Sequence, residues 1–178
     1  DEYLRAISPK GIKISLTSME IGNKYSSTEI YEYLKDPDNI FQKYFSCRGK
    51  ELLGPDGIQY YLFSVVVLDQ LGAALYFARE IKNKRPRAKV VLGGPLITRL
   101  YKKLINLRWI NDYVDIIAPG EAYKVMPKIL GLKKLWSGHV SPDFTDFNMD
   151  RYFSPRLVLP YLIAHGCKWG LCTFCSHR

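Results

Sequence analysis

Apolar and polar positions along the first two thirds of the chain alternate in segments typical of strands and helices. Residues 11–16 alternate apolar and polar side chains, as a half-buried strand does. Residues 60–67 (Tyr-Tyr-Leu-Phe-Ser-Val-Val-Val) are almost continuously apolar, which is typical of a strand covered on both faces. Because such coverage requires helices on both sides of a sheet, the pattern favours an α/β fold.

The segments around these strands carry helical signals. Ser26 precedes a Ser-Thr-Glu sequence and can cap a helix, and a second, aromatic helix is predicted from Ile40 to Phe45. Cys47 is assigned to this aromatic helix and is expected to be a small buried hydrophobic residue. From Gln70 to Asn83, apolar residues at three- and four-residue spacing predict an amphipathic helix, which ends in cations and a proline.

Two more strands follow, and each is stopped by a glycine turn. Residues 88–92 lead into Gly93-Gly94-Pro95, and residues 113–118 lead into Pro119-Gly120-Glu121. Helices are predicted after both turns, through Leu96, Leu100 and Leu104 and from Ala122 to Leu130. Strand, helix and strand within about thirty residues form a βαβ unit with parallel strands and a right-handed crossover.

The predicted organisation is a doubly wound parallel α/β domain, Rossmann-like or flavodoxin-like, over residues 1–135. Residues 136–155 contain Pro, Asp, Ser and Gly, show weak periodicity and are interpreted as a linker. A new strand is predicted at residues 156–164, and it opens a second domain over residues 156–178.

Composition excludes several protein classes. The chain has 178 residues, of which 47% are hydrophobic and 24% charged, which is typical of a globular protein. No apolar run is long enough for a membrane span, and the start Asp1-Glu2-Tyr3 does not have the order of a signal peptide. We therefore expect a cytoplasmic protein without a membrane partner.

The formal net charge is +9, which would attract nucleic acid or anionic cofactors and is also ordinary for a solvated surface. Basic residues cluster near predicted helix ends, where a solvated surface explains them better than a nucleic-acid site does. We do not expect nucleic acid as the partner, and RNA binding is kept as an alternative. The residues concerned are Lys82, Lys84, Arg85, Arg87, Lys102 and Lys103.

Parallel sheets of this kind bind ligands at the carboxyl ends of their strands. The turns at residues 64–70, 93–95 and 120–121 follow predicted strands, so their backbone N–H groups and small residues can approach a flat or anionic cofactor. Gly93 and Gly94 are equally explained by a tight turn. Neither G-x-G-x-x-G nor G-x-x-x-x-G-K-[ST] occurs, which disfavours the usual nucleotide sites.

Three of the four cysteines, Cys167, Cys172 and Cys175, lie within nine residues with the spacing C-x4-C-x2-C. This uneven placement disfavours a disulfide framework and favours a metal. Three thiolates on an iron–sulfur cubane leave one iron open to another ligand. The alternative is a closed zinc site with His165 or His177 as the fourth ligand.

Together these stretches resemble the cobalamin-binding-domain radical S-adenosylmethionine enzymes. The similarity lies in residues 89–95 (Lys-Val-Val-Leu-Gly-Gly-Pro), residues 114–121 (Val-Asp-Ile-Ile-Ala-Pro-Gly-Glu) and residues 159–175, which contain the cysteines. Two features depart from the usual family pattern. The first two cysteines are separated by four residues rather than three, and Pro119 precedes Gly120 where the family often has Arg.

The resemblance implies a set of cofactor contacts. Cys167, Cys172 and Cys175 would bind a [4Fe-4S] cluster whose fourth iron is chelated by S-adenosylmethionine, and Phe174 would lie near the adenine. The turns at the strand ends would hold cobalamin, without a histidine ligand from a D-x-H-x-x-G motif, which this sequence lacks. The implied cobalamin contacts are Ser64, Leu68, Gln70, Gly93, Gly94, Pro95, Gly120 and Glu121.

The resemblance also implies an activity. The parent enzyme would cleave S-adenosylmethionine to a 5′-deoxyadenosyl radical and methylate an unactivated position of a small molecule or peptide, with flavodoxin or ferredoxin as the reductant. A complete barrel needs roughly 200 residues, so the chain is expected to be a fragment that holds its first strand and cluster loop. The alternatives are an RNA-modifying radical enzyme and a corrinoid- or metal-binding module without catalysis of its own.

Overall fold

The computed structural model describes residues 8, 12–15, 18–132, 143–148, 156, 158, 167–173 and 175. The chain divides into two units, residues 1–135 and residues 136–178. All the helices and strands of the described residues lie in the first unit. The strand predicted at residues 156–164 falls almost wholly outside the described residues.

The first strand forms a hairpin that the sequence did not predict. β1 (Ile12–Ile14) pairs antiparallel with β2 (Met19–Ile21), so that Ile12 lies opposite Ile21. The Ser15 N–H donates to the Ser18 carbonyl oxygen at 2.8 Å and closes the turn. The strand expected at residues 11–16 is therefore confirmed, but it belongs to a separate two-stranded sheet.

Polar caps fix the first two helices. α1 (Ser27–Lys35) begins where the Ser26 hydroxyl accepts the Glu29 N–H, as predicted. α2 (Ile40–Leu53) begins at Asn39, which is fully buried and accepts the Phe41 N–H at 2.8 Å. α2 continues well beyond its predicted end, through the buried Gly49, to Gly54, whose φ of +62° ends the helix.

The main sheet has three parallel strands in the order β3-β4-β5, which confirms the α/β class. A helix connects each strand to the next, and a 3-10 helix (Arg108–Asp112) precedes the last strand. The elements are β3 (Tyr60–Ser64), α3 (Asp69–Lys84), β4 (Lys89–Gly93), α4 (Pro95–Leu104), β5 (Ile116–Ala118) and α5 (Ala122–Ile129).

The described strands wind in one direction. Since β3, β4 and β5 are neighbours in chain order, two right-handed crossovers place α3 and α4 on the same face of the sheet. Phe63, Leu92 and Ile117 point to the core on this face. A doubly wound sheet requires a reversal of strand order, and the strands that the structure describes contain none.

On the opposite face of the sheet, the burial of side chains differs between strands. Central β4 is buried on both faces, with Val90, Val91 and Leu92 all at most 2% exposed. β3 is an edge strand of the described sheet, and its Leu62 is 56% exposed. The prediction that residues 60–67 form one strand covered on both faces is therefore wrong, and that description fits β4 instead.

Aromatic side chains hold α2 against α3. Phe41 and Phe45 are buried and pack on Phe77, with ring centroids 6.4 and 5.8 Å apart. Cys47 lies two residues beyond Phe45, which places it on the other side of the helix, and its thiol is exposed. The expectation of a buried Cys47 is therefore wrong.

Two charged side chains fasten the amino edge of the sheet. The Arg85 guanidinium donates to the Leu53, Gly54 and Pro55 carbonyl oxygens at 2.7–2.9 Å, which ties the end of α2 to the end of α3. Asp115 accepts the Val90 N–H at 2.8 Å and pairs with Lys82 and Lys89 at 3.1 and 3.2 Å. These contacts place β5 beside β4.

Asp115 makes the stability of this unit depend on pH. Burial alone raises the pKa of Asp115, but the Val90 N–H and the ammonium groups of Lys82 and Lys89 outweigh it, so the pKa lies below its usual value. We expect Asp115→Asn to lower the free energy of unfolding near neutral pH by about 1–3 kcal/mol, measured by urea unfolding.

The sign of this effect follows from the lowered pKa. The contribution is full above about pH 5 and is lost as the pH falls through the folded-state pKa, so wild type and variant converge at low pH. Asp112→Asn is the control, since Asp112 is exposed and has no ion pair among the described residues. An Asp115→Asn difference that stays constant down to about pH 2 would contradict the assignment.

Candidate functional site

Parallel strands bring three loops to one edge of the sheet. β3, β4 and β5 all end there, so the loops at residues 64–70, 93–95 and 119–121 are neighbours, as predicted. The Val65 N–H donates to the Gly93 carbonyl oxygen at 2.8 Å, and the Leu96 N–H donates to the Val65 carbonyl oxygen at 3.1 Å. The first two loops therefore form a continuous backbone surface.

Gly94 is required by this contact between loops. Its φ is +104°, and a Cβ there would lie 2.6 Å from both the backbone nitrogen and the backbone oxygen of Val65. The space over Gly94 is therefore filled by Val65. Of the two explanations for this glycine, the structure favours the tight turn over close approach to a ligand.

Thr98 joins the third loop to the second. Its hydroxyl donates to the Gly94 carbonyl oxygen at 3.0 Å and accepts the Gly120 N–H at 2.8 Å. Sequence analysis missed this residue. A threonine in the first turn of a helix carries no signal that its hydroxyl reaches a loop 22 positions away.

Two predicted contacts are engaged within their own loops. Gln70 Oε1 accepts the Val66 N–H at 2.8 Å and the Val67 N–H at 3.4 Å. The Glu121 carboxylate accepts the Tyr123 hydroxyl at 2.6 Å and pairs with Lys124. The expectation of free N–H groups in the first loop is therefore wrong for Val66 and Val67, because Gln70 satisfies them.

The beginning of α4 offers few amides to an anion. Pro95 has no N–H, and the Leu96 N–H is bonded to Val65. The Thr98 N–H donates to the Gly94 carbonyl oxygen at 3.0 Å. A ligand at this edge would consequently be recognised by the shape of the loops more than by the start of the helix.

The exposed part of the edge is small or apolar. Leu68 packs against the core, so its side chain faces inward rather than to the edge. Val66 and Val67 are 53% and 51% exposed, and sequence analysis missed both because it placed them inside a buried strand. The predicted contacts that are exposed here are Ser64, Gln70, Pro95 and Gly120.

Gly94 and Gly120 form a matched pair for mutation. Both have positive φ, but a Cβ on Gly120 would meet only Val125 at 3.6 Å, whereas a Cβ on Gly94 would overlap the Val65 backbone. We expect Gly94→Ala to lower the free energy of unfolding by about 3 kcal/mol or more and Gly120→Ala by about 1 kcal/mol. Equal losses of unfolding free energy in urea would show that strain from the positive φ, and not overlap with Val65, determines both effects.

The second unit contains the cysteine loop. Cys167 is exposed, and Cys172 and Cys175 are half-buried. The Cys175 N–H donates to the Cys172 carbonyl oxygen at 3.2 Å, which closes a turn. Gly170 has a φ of +60° and reverses the chain between the first two cysteines. The long first spacing is thus accommodated by a left-handed glycine.

Backbone amides stabilise the Cys167 thiolate. The N–H groups of Gly170 and Trp169 donate to its sulfur and hold the pKa of the thiol below its usual range. A loop whose amides face a sulfur atom is a common arrangement around iron–sulfur centres. The amide contacts therefore favour the thiolate form of Cys167, which is the form that binds metals.

The three thiols do not assemble a site in this structure. Among the described residues, no three His, Cys, Asp or Glu side chains form a group that could hold a metal ion. Phe174, His165 and His177 lie outside the described residues, so the adenine contact and the zinc alternative stay predictions. Cluster ligation by the three cysteines stays a prediction as well.

The lowered pKa of Cys167 predicts its reactivity. We expect iodoacetamide to alkylate Cys167 near neutral pH faster than it alkylates the same cysteine in an unstructured peptide of residues 165–177, because more of the thiol is ionised. Peptide mass spectrometry gives both rates. Gly170→Ala disturbs the turn and should slow the reaction toward the peptide rate, and equal rates in loop and peptide would contradict the amide contacts.

Two of the basic residues considered for RNA binding serve the fold instead. Lys82 pairs with Asp115 and donates to the Ala88 carbonyl oxygen at 3.1 Å. Arg85 binds three carbonyl groups and Asp56. The basic cluster at the end of α3 is therefore partly neutralised, which weakens the RNA alternative.

Comparison of the chain with protein-family models, curated proteins and solved structures finds no match. Within the described part of the chain, no helix has the length and apolar character needed to cross a membrane.

Proposed function

We propose that this chain is part of a cobalamin-dependent radical S-adenosylmethionine enzyme. The observation that carries the proposal is the C-x4-C-x2-C loop, in which backbone amides of Trp169 and Gly170 favour the thiolate of Cys167. The α/β unit with three loops at one sheet edge agrees with it. The proposal also includes a doubly wound sheet and a cytoplasmic location, where clustered thiols stay reduced.

The cysteine loop fits an iron–sulfur cluster by its donor chemistry. Thiolates are the ligands that such clusters take, and Cys167, Cys172 and Cys175 would supply three of them. The exposed side chains of Trp169 and Leu171 beside them leave this loop open to further contacts. A [4Fe-4S] cluster bound here would supply the electron that cleaves S-adenosylmethionine to a 5′-deoxyadenosyl radical.

The sheet edge fits a large, flat cofactor by its shape. Ser64, Pro95 and Gly120 are exposed and small, and Val66 and Val67 add apolar surface beside them. Gln70 and Thr98 hold the backbones beneath this surface in place. Cobalamin bound here would supply the methyl group, and the residues of this chain would hold and orient it.

Reconstitution of the chain tests the two sites separately. The protein is incubated anaerobically with iron, sulfide and hydroxocobalamin and desalted, and iron and cobalt are then measured together with the visible spectrum. We expect about four irons and one cobalt per chain. Cys172→Ser should lose iron and keep cobalt, whereas Cys47→Ser, an exposed thiol outside the loop, should keep both.

Variants of the edge test the cobalamin site. Ser64→Trp places a large ring on the exposed edge and should lower bound cobalt without changing iron, whereas Ser46→Trp, at an exposed position of α2, should change neither. Zinc in place of iron would overturn the radical mechanism. Cobalt without iron would favour a corrinoid-binding module, and iron without cobalt would leave a radical enzyme whose α/β unit has another role.

A further inference from the structure

A cavity of about 270 Å³ lies within the first unit, between α3 and α4. Residues of α1 and of the adjoining loops complete its walls, no residue of the described strands lines it, and Leu68 is the only predicted cobalamin contact that does. Trp109, whose ring stacks on Tyr31 with centroids 5.0 Å apart, also lines the cavity. The other walls are mainly aliphatic and include Leu71, Leu75, Leu96, Leu100 and Leu104.

Cations from α4 line the same cavity. Arg99 and Lys103 lie one turn apart and are exposed, and no carboxylate of the described residues pairs with either. Lys24 also lines the cavity, but it is held by Glu20 at 3.0 Å and Asp69 at 2.9 Å. The uncompensated positive charge therefore lies on the α4 side, next to an apolar interior.

We propose that this cavity binds a small amphipathic carboxylate, with its alkyl or aryl body among the leucines and its head group at Arg99 and Lys103. An apolar cavity of about 150 Å³ accepts one benzene ring, so this one accepts a body of roughly eight to ten carbons. A carboxylate head matches the two cations, which α4 presents on the same side. The site goes beyond the proposed radical chemistry and does not depend on it.

Trp109 provides a direct readout of binding. The chain has three tryptophans, so Trp136→Phe with Trp169→Phe leaves Trp109 as the single fluorophore. Octanoate is titrated near neutral pH while its emission is recorded, and 1-octanol serves as the uncharged probe of equal chain length. We expect saturable binding of octanoate at millimolar concentrations or below.

Charge variants then locate the head group. Arg99→Gln with Lys103→Gln should weaken octanoate binding about fivefold and leave octanol within about twofold, as expected for exposed charge pairs. Lys102→Gln with Arg108→Gln removes the same net charge from exposed residues that do not line the cavity, and it should not change octanoate affinity. Leu100→Phe narrows the cavity and should weaken both probes.

Three outcomes would overturn the proposal. They are the absence of a saturable octanoate response, equal weakening by the two charge variants, and octanoate binding that Leu100→Phe does not change. The circular dichroism spectrum confirms folding of each variant. Loss of iron or cobalt binding in reconstitution would leave this result unaffected, so the two proposals fail separately.

Discussion

The contact between the backbones of Gly94 and Val65 positions the carboxyl edge of the sheet. With no side chain between them, Val65 can donate to Gly93 and accept from Leu96, so β3 and the start of α4 share one surface. Thr98 then extends this surface to Gly120. The edge is therefore fixed by main-chain geometry, and its exposed side chains can vary in character without moving the loops.

Charged side chains act mainly at the opposite edge. There Asp115 joins β4 to β5 by accepting a backbone N–H and pairing with two ammonium groups. Arg85 donates hydrogen bonds to carbonyl groups at the end of α2. Partial burial of the Asp115 and Arg85 side chains is tolerable because each has several partners. At the carboxyl edge, the described ion pairs of Lys24 with Asp69 and of Lys124 with Glu121 lie at the starts of α3 and α5, and main-chain hydrogen bonds join the first two loops.

Sequence patterns predicted those helices and strands that have a long, regular apolar pattern. α3 was placed to within one residue at each end because its apolar face is regular and its end is basic. β2 was missed because three residues with one polar centre give too short a pattern. The exposure of Leu62 could not be predicted, since an apolar run does not reveal whether its strand is central or at an edge.

In the candidate sites, too, spacing predicted some features and could not predict others. Spacing predicted that the three cysteines act as one group of ligands, but their convergence depends on loop geometry that spacing does not contain. The Oε1 atom of Gln70 accepts an N–H of its own loop, which the sequence did not reveal, and the contact of Gln70 with a cofactor stays a prediction. Such local hydrogen bonds depend on distances in the folded chain, so no periodic pattern in the sequence predicts them.

The distribution of positive charge shows why net charge was a poor guide. The formal charge of +9 suggests an anionic partner, yet Lys82 and Arg85 are occupied by Asp115, Asp56 and backbone carbonyl groups. Arg99 and Lys103 differ because apolar surface lies beside them and no described carboxylate pairs with them. A lysine or arginine indicates a ligand site when no carboxylate pairs with it and an apolar cavity lies beside it. Only the structure distinguishes such a residue from one whose charge stabilises the fold.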